Sequence, residues 1–145
     1  MLTYEIETRT VDAVQTAAIF DTVAVADMPA FFGAAFGEVA AYLTKWGAGP
    51  AGPPYARYHM LREGWFEVEA GFPAITPVAG EGRVEPSQLP AGTVAVTTHV
   101  GPYDAVGPVY EALFAWIAEH GGRSTGDPWE VYVAENRTEV CAPYR

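Results

Sequence analysis

Cysteine is nearly missing from this chain of 145 residues, in which Cys141 stands alone. A lone thiol closes no internal disulfide, so nothing here asks for an oxidising compartment. Basic residues are scarce too: eight lysines and arginines face 18 acids, for a net charge of −10. A nucleic-acid binder needs a basic stripe to displace counterions, and none is present, so direct binding of DNA or RNA is not expected. The same field favours cationic ligands and repels anionic membranes. Charge of either sign is thin, at 18% of residues against roughly 25% in soluble domains. A chain this lean in charge is expected to bury surface in a ligand pocket or against another subunit. Its longest apolar stretch, Met28–Trp46, is broken by Glu38 and Lys45, so it reads as a buried helix and not a membrane span. Met1–Glu5 lacks the basic and apolar regions of a signal peptide. A soluble, cytoplasmic protein is expected.

The usual motifs of chemistry are missing as well. His59, His99 and His120 are scattered, with neither His-x-x-x-His nor Cys-x-x-Cys spacing, so no metal is expected. Gly80-Glu-Gly82 lacks the lysine and longer glycine pattern of a phosphate loop. There is no Gly-x-Ser-x-Gly elbow, and no cofactor is expected. Cys141 reads as a small hydrophobe in the last strand. Glu67, Glu69 and Glu139 read as strand acids facing solvent, with Glu139 close enough to Glu130 in sequence to stay a second candidate.

What is present is organised around His99–Gly122. Val106, Val109, Tyr110, Leu113, Trp116 and Ile117 recur at the steps of one helix face. Asp104 is placed to cap that helix, Pro108 falls early enough to cost little, and Gly121-Gly122 can end it. A shift of 74 positions lays Phe36 on Tyr110, Val39 on Leu113, Leu43 on Ile117 and Gly47 on Gly121. It runs on into Gly52–Tyr58 over Gly126–Tyr132, matching Pro54 with Pro128 and Tyr58 with Tyr132. Upstream it pairs Ala17 with Ala91 and Val23 with Thr97. Two unrelated amphipathic helices would explain the helix matches but not the proline and tyrosine pairs. The expectation is an internal duplication within one pseudo-symmetric domain.

Strands are expected at Tyr4–Val11, Thr16–Val25, Tyr55–Met60, Trp65–Phe72, Thr93–Val100, Trp129–Ala134 and Thr138–Ala142. Helices are expected at Asp27–Trp46, capped by Asp27, and at Asp104–His120. The result is an α+β domain over 1–145. Its strand–helix–strand–strand modules span about 3–72 and 90–145, joined by a proline-rich linker at about 73–89. Both helices should lie on one side of a mostly antiparallel sheet.

Glu130 is the sharpest candidate for chemistry. Strand alternation groups it with Tyr132 and Ala134, apart from Trp129, Val131 and Val133. A carboxylate in Pro-Trp-Glu-Val-Tyr-Val either reaches water at a strand edge, finds a donor, or awaits a cation, because burying it alone is costly. The matching residue in the first module is Ala56, so the repeat itself demands no acid there. Tyr58 and Tyr132 should point to the same relative side of their modules. Tyr103, Tyr110, Trp65, Phe36 and Trp116 are the further candidates for an aromatic wall, although aromatics at helical spacing often serve only as core.

Leu89–Gly92 before a strand, His99-Val-Gly-Pro-Tyr103 entering a helix, Trp129–Tyr132 and the closing Thr138–Pro143 together resemble the GyrI-like domains. These also serve as effector-binding domains of BmrR/AraC-type multidrug regulators in bacteria, and the present chain resembles the standalone form. The resemblance covers nearly the whole chain. It implies two strand–helix–strand–strand modules with an aromatic-lined pocket between them and a glutamate at its floor, a role that falls on Glu130. It implies binding or sequestering of a planar, apolar or cationic aromatic small molecule. The alternatives it carries are hydrolysis of strained cyclopropane-bearing natural products by Glu130, and protein–protein inhibition of the gyrase-inhibitor type. A second copy of the chain or a separate regulator protein is the partner that such a domain would take. Transcription control by this chain alone is not expected, since no helix-turn-helix precedes the pattern.

Overall fold

The computed structural model describes residues 4–47, 49–102 and 106–145. The expected cap Asp104 and the candidate Tyr103 lie outside the described residues. Eight strands and two α-helices follow in the order β1 (Glu7–Val11), β2 (Val14–Ala24), α1 (Met28–Trp46), β3 (Tyr55–Arg62), β4 (Trp65–Pro73), β5 (Glu85–Leu89), β6 (Gly92–Val100), α2 (Gly107–Glu119), β7 (Trp129–Ala134) and β8 (Arg137–Pro143). All their ladders described here are antiparallel, which makes this an α+β fold. No described helix is long and apolar enough to cross a membrane.

Two compact units form, one of residues Ala13–Pro90 and one of Ala91–Arg145 together with the segment up to Asp12. In the first, strands run β3-β4-β2-β5. In the second they run β7-β8-β6-β1. The connectivity is the same, strand–helix–strand–strand plus one added edge strand. The edge strands depart from the sequence reading. Residues expected as plain linker contribute β5, which pairs with β2, and β1 pairs with β6 of the second unit. Backbone hydrogen-bonding groups at a sheet edge seek a partner whatever their position in the sequence, so a proline-bearing segment such as Glu85–Leu89 serves at the rim.

Each helix packs on one face of its own strands. From α1, Ala35, Val39, Tyr42 and Leu43 meet Ala17 and Ile19 of β2 and Ala70 of β4. From α2, Val109, Leu113 and Ile117 meet Ala95 of β6 and Val140 and Ala142 of β8. The buried positions Ala35, Val39 and Leu43 are those matched to Val109, Leu113 and Ile117 by the 74-residue shift. The shift also lays the start of β3, Tyr55, on the start of β7, Trp129, but it fails at β4 against β8 and at β2 against β6. Tyr58 lies opposite Val68, 10 residues on, whereas Tyr132 lies opposite Thr138, 6 residues on, so the second hairpin is shorter. The counterpart of Ala17 under its helix is Ala95 rather than Ala91, which precedes β6.

The caps differ from expectation at one end. Asp27 closes a short 3₁₀ turn, Val25–Asp27, and its carboxylate makes no cap hydrogen bond. At the other end, α2 stops as read. Gly121, at φ +74, donates to Ala118 O at 3.1 Å and Gly122 to Ile117 O at 2.9 Å, the paired bonds of a Schellman motif.

Candidate functional site

In β7 the alternation holds. Glu130 lies opposite Val140 and Tyr132 opposite Thr138, and Val140 belongs to the α2 core, so both look toward α2. Glu130 is only 4% exposed. One carboxylate oxygen accepts the Tyr110 hydroxyl at 2.5 Å, and the other accepts Tyr132 at 3.1 Å. Tyr110 reaches down from the first turn of α2, where it stacks with Phe114 at a centroid distance of 6.4 Å. Burial pushes the Glu130 carboxyl above its ordinary value; the two tyrosine hydroxyls and the charge of His99 pull the other way. No lysine or arginine among the described residues pairs with this carboxylate.

On the same sheet face of this unit, β6 and β8 add a polar floor. Thr97 is cross-strand to Val140, and His99 to Thr138. His99 is buried and its Nε2 lies 2.9 Å from Pro102 O. Thr138 is fully buried, and its hydroxyl has no partner among the described residues. Alternation alone marks this row, once Ala95 is known to face the helix.

Trp116 is not part of this cluster. It stacks on His120 at 4.0 Å, meets Tyr144 edge-on, and packs against the α2 core. Glu139 points away from α2 and pairs with Arg9 at 2.9 Å, so it does not join Glu130. Its neighbours Thr138 and Val140 take the helix side, and strict alternation leaves it no choice.

The first unit carries the positions matched to Glu130, Tyr132 and Tyr110 as Ala56, Tyr58 and Phe36. They form an aromatic group with no acid. Phe32 stacks with Phe36 at 5.5 Å and meets Tyr58 edge-on at 6.3 Å, while Tyr58 meets Phe66 at 6.1 Å. All four rings are half-buried. Phe32 and Phe66 escaped the sequence reading, although Phe32 sits one helical turn before Phe36 and Phe66 alternates with Val68. Trp65 stands apart at the hairpin, with the Arg62 guanidinium 5.1 Å from its ring centroid. It takes the opposite sheet face from Phe66.

Glu69 corrects the reading of solvent-facing strand acids. It is 8% exposed and accepts hydroxyls from Tyr55 and, at 2.7 Å, Ser87. Thr16 lies 2.8 Å from the Tyr55 oxygen. The four residues come from β4, β3, β5 and β2, so one hydrogen-bonded chain crosses all four strands of the unit. Burial and the Glu69 charge push the Tyr55 phenol well above its ordinary range. No sequence signal marks this network, because its partners lie 14, 18 and 39 residues apart. Among the described residues no cluster of metal-ligating side chains occurs. Among the described residues one open cleft runs along Leu43, Trp46 and Ile75, and another along Glu5, Arg9 and Thr98, with Thr97 at its side.

The chain is thus an α+β fold of two like-connected units, one of them with a buried carboxylate held by two tyrosine hydroxyls. The chain belongs to the GyrI-like family, whose small molecule binding domain matches residues 4–145. Among solved structures it is similar to the EcmrR C-terminal domain (TM-score 0.81, 20% identity, 99% of each chain covered). It is equally similar to EcmrR in complex with DNA (TM-score 0.82, 21% identity, 98% of this chain), where it spans 57% of the EcmrR chain. More distant are a hydrolase from Listeria innocua (TM-score 0.69, 12% identity, 97% and 92% covered) and SAV2435 bound to tetraphenylphosphonium (TM-score 0.63, 13% identity, 99% and 94% covered). At these identities the likeness is one of fold. No curated protein matches in sequence.

Proposed function

We propose that this chain binds a cationic aromatic small molecule at Glu130, as a sequestering or effector-binding domain. The observation that carries the reading is a carboxylate 4% exposed whose partners are two tyrosine hydroxyls and no cation. An ionised acid in such a setting lacks a counter-charge, and a ligand cation supplies it without first breaking an ion pair. The tyrosine rings offer it faces of negative potential. The likeness to SAV2435, solved with tetraphenylphosphonium, supports the ligand class. The test is Glu130→Gln, which keeps the shape and removes the charge. Tetraphenylphosphonium binding, measured by calorimetry, is expected to weaken by about 1–3 kcal/mol, while a neutral aromatic of similar size binds as before. Equal weakening of both ligands would overturn the reading.

The raised carboxyl of Glu130 supports a second reading, a hydrolase for strained electrophiles. Glu130 would take a proton from the attacking water as the carbon–oxygen bond forms. It would return that proton to the ring carbon released when the strained carbon–carbon bond breaks. On that reading Glu130→Gln abolishes turnover of a cyclopropane-bearing substrate and leaves its binding largely intact.

A further inference from the structure

His99 enters none of the roles above, yet it shares the Glu130 face of its unit. Ala95 faces α2, so Thr97 and His99, two and four residues on, face it as well. The register then sets two adjacent rows across β6, β8 and β7: Thr97–Val140–Glu130 and His99–Thr138–Tyr132. His99 thus lies one row along and two strands over from Glu130, a diagonal of about 12 Å by strand spacing and rise. Both groups are buried, and solvent and salt screen such pairs weakly.

The two ring nitrogens have different tasks. Nε2 faces the Pro102 carbonyl at 2.9 Å, and a carbonyl only accepts, so Nε2 carries a proton in the neutral ring as in the charged one. Gain or loss of a proton therefore falls on Nδ1. Its cross-strand neighbour Thr138 is fully buried with a hydroxyl that has no partner among the described residues. The other titratable groups on this face are Glu130 and Tyr132 from β7 and Tyr110 from α2, with Tyr4 packed from the N-terminal segment. From β8 there is none, since Glu139 faces away with Arg9. Imidazole is the side chain that exchanges its proton between about pH 5 and 8.

We propose that His99 is a specificity-determining residue of the Glu130 site. Neutral, it leaves one buried carboxylate that selects a cationic ligand; protonated, it cancels that charge and turns the same site toward neutral ligands. The inference rests on the assignment of the ligand to Glu130 and adds a proton-linked control of which ligands are held.

The experiment compares wild type, His99→Gln and Glu130→Gln as full-length proteins, with tetraphenylphosphonium as cationic probe and triphenylphosphine oxide as neutral one. The glutamine amide can still donate to Pro102 but takes up no proton. The quantity read is the ratio of H99Q to wild-type affinity for each probe, taken at pH 8 and at pH 5.5. For the cation that ratio is expected to rise about five- to tenfold from pH 8 to pH 5.5, the effect of one weakly screened charge at this distance. For the neutral probe the ratio is expected to stay level or to fall over the same interval. If E130Q still binds the cation as wild type does, the site assignment falls and this inference with it. If E130Q has lost the cation while H99Q tracks wild type at every pH, the inference alone is overturned. Should H99Q not fold, the Glu130 carboxyl carbon resonance of wild type, followed without ligand, decides: it should move with the His99 ring protons, and independence of the two titrations overturns the proposal.

Discussion

Glu130 and Cys141 show how burial sets chemistry at single residues. Burial raises the Glu130 carboxyl above its unfolded value, so the folded chain holds that proton more tightly than the unfolded one. Stability from this group is therefore greatest at acid pH and falls as pH climbs from the unfolded value through the folded one. Glu130→Gln removes that loss. Urea midpoints should show the variant more stable than wild type at pH 7 and nearly equal to it at pH 4. Cys141 lies in β8 with its thiol pushed up to about 12, mainly by burial and then by Glu139, with Arg9 opposing. Reactivity belongs to the thiolate. Native protein should resist iodoacetamide at neutral pH, while urea-unfolded protein takes one adduct by mass spectrometry.

The helices carry much of each unit's core. Leu113 is fully buried between Val109 and Ile117, and Leu113→Ala should cost about 3 kcal/mol in urea unfolding. Glycines in these elements divide by what surrounds them. In α1 an added Cβ at Gly37 meets nothing within 4 Å, so Gly37→Ala should stabilise by about 0.5–1 kcal/mol through helix propensity. At Gly71 of β4 an added Cβ would stand 2.2 Å from the Ala17 carbonyl, so Gly71→Ala must push β4 and β2 apart. Thermal melts should order the three proteins Gly37→Ala, wild type, Gly71→Ala from most to least stable.

At the scale of the whole chain the balance of charge governs encounters. Eighteen acids and eight bases give a net charge of −10, which opposes approach to phosphates, although the similar fold of EcmrR occurs within a protein solved on DNA. Mobility-shift assays at physiological salt should show no retardation of duplex DNA. Salt-sensitive micromolar binding would contradict this.

Local information was enough for the helices, most strands and the Schellman stop at Gly121-Gly122, because each depends on spacing within a few residues. Alternation in Trp129–Ala134 put Glu130 and Tyr132 on one face. The repeat named the helix positions that became core in both units. What local spacing could not supply was partnership. The edge strands β1 and β5 exist because exposed strand edges accept any segment that reaches them. Trp65 and Trp116 have the right residue type, but the sheet face and the helix end they occupy take them away from Tyr58 and Tyr110. Glu69 looks like any strand acid until β2, β3 and β5 bring Thr16, Tyr55 and Ser87 to it. Periodicity tells which way a side chain points within its own element. Only the packing of elements far apart in the chain determines what it meets there, and hence whether a carboxylate such as Glu69 is satisfied by hydroxyls or one such as Glu130 is left short of a counter-charge.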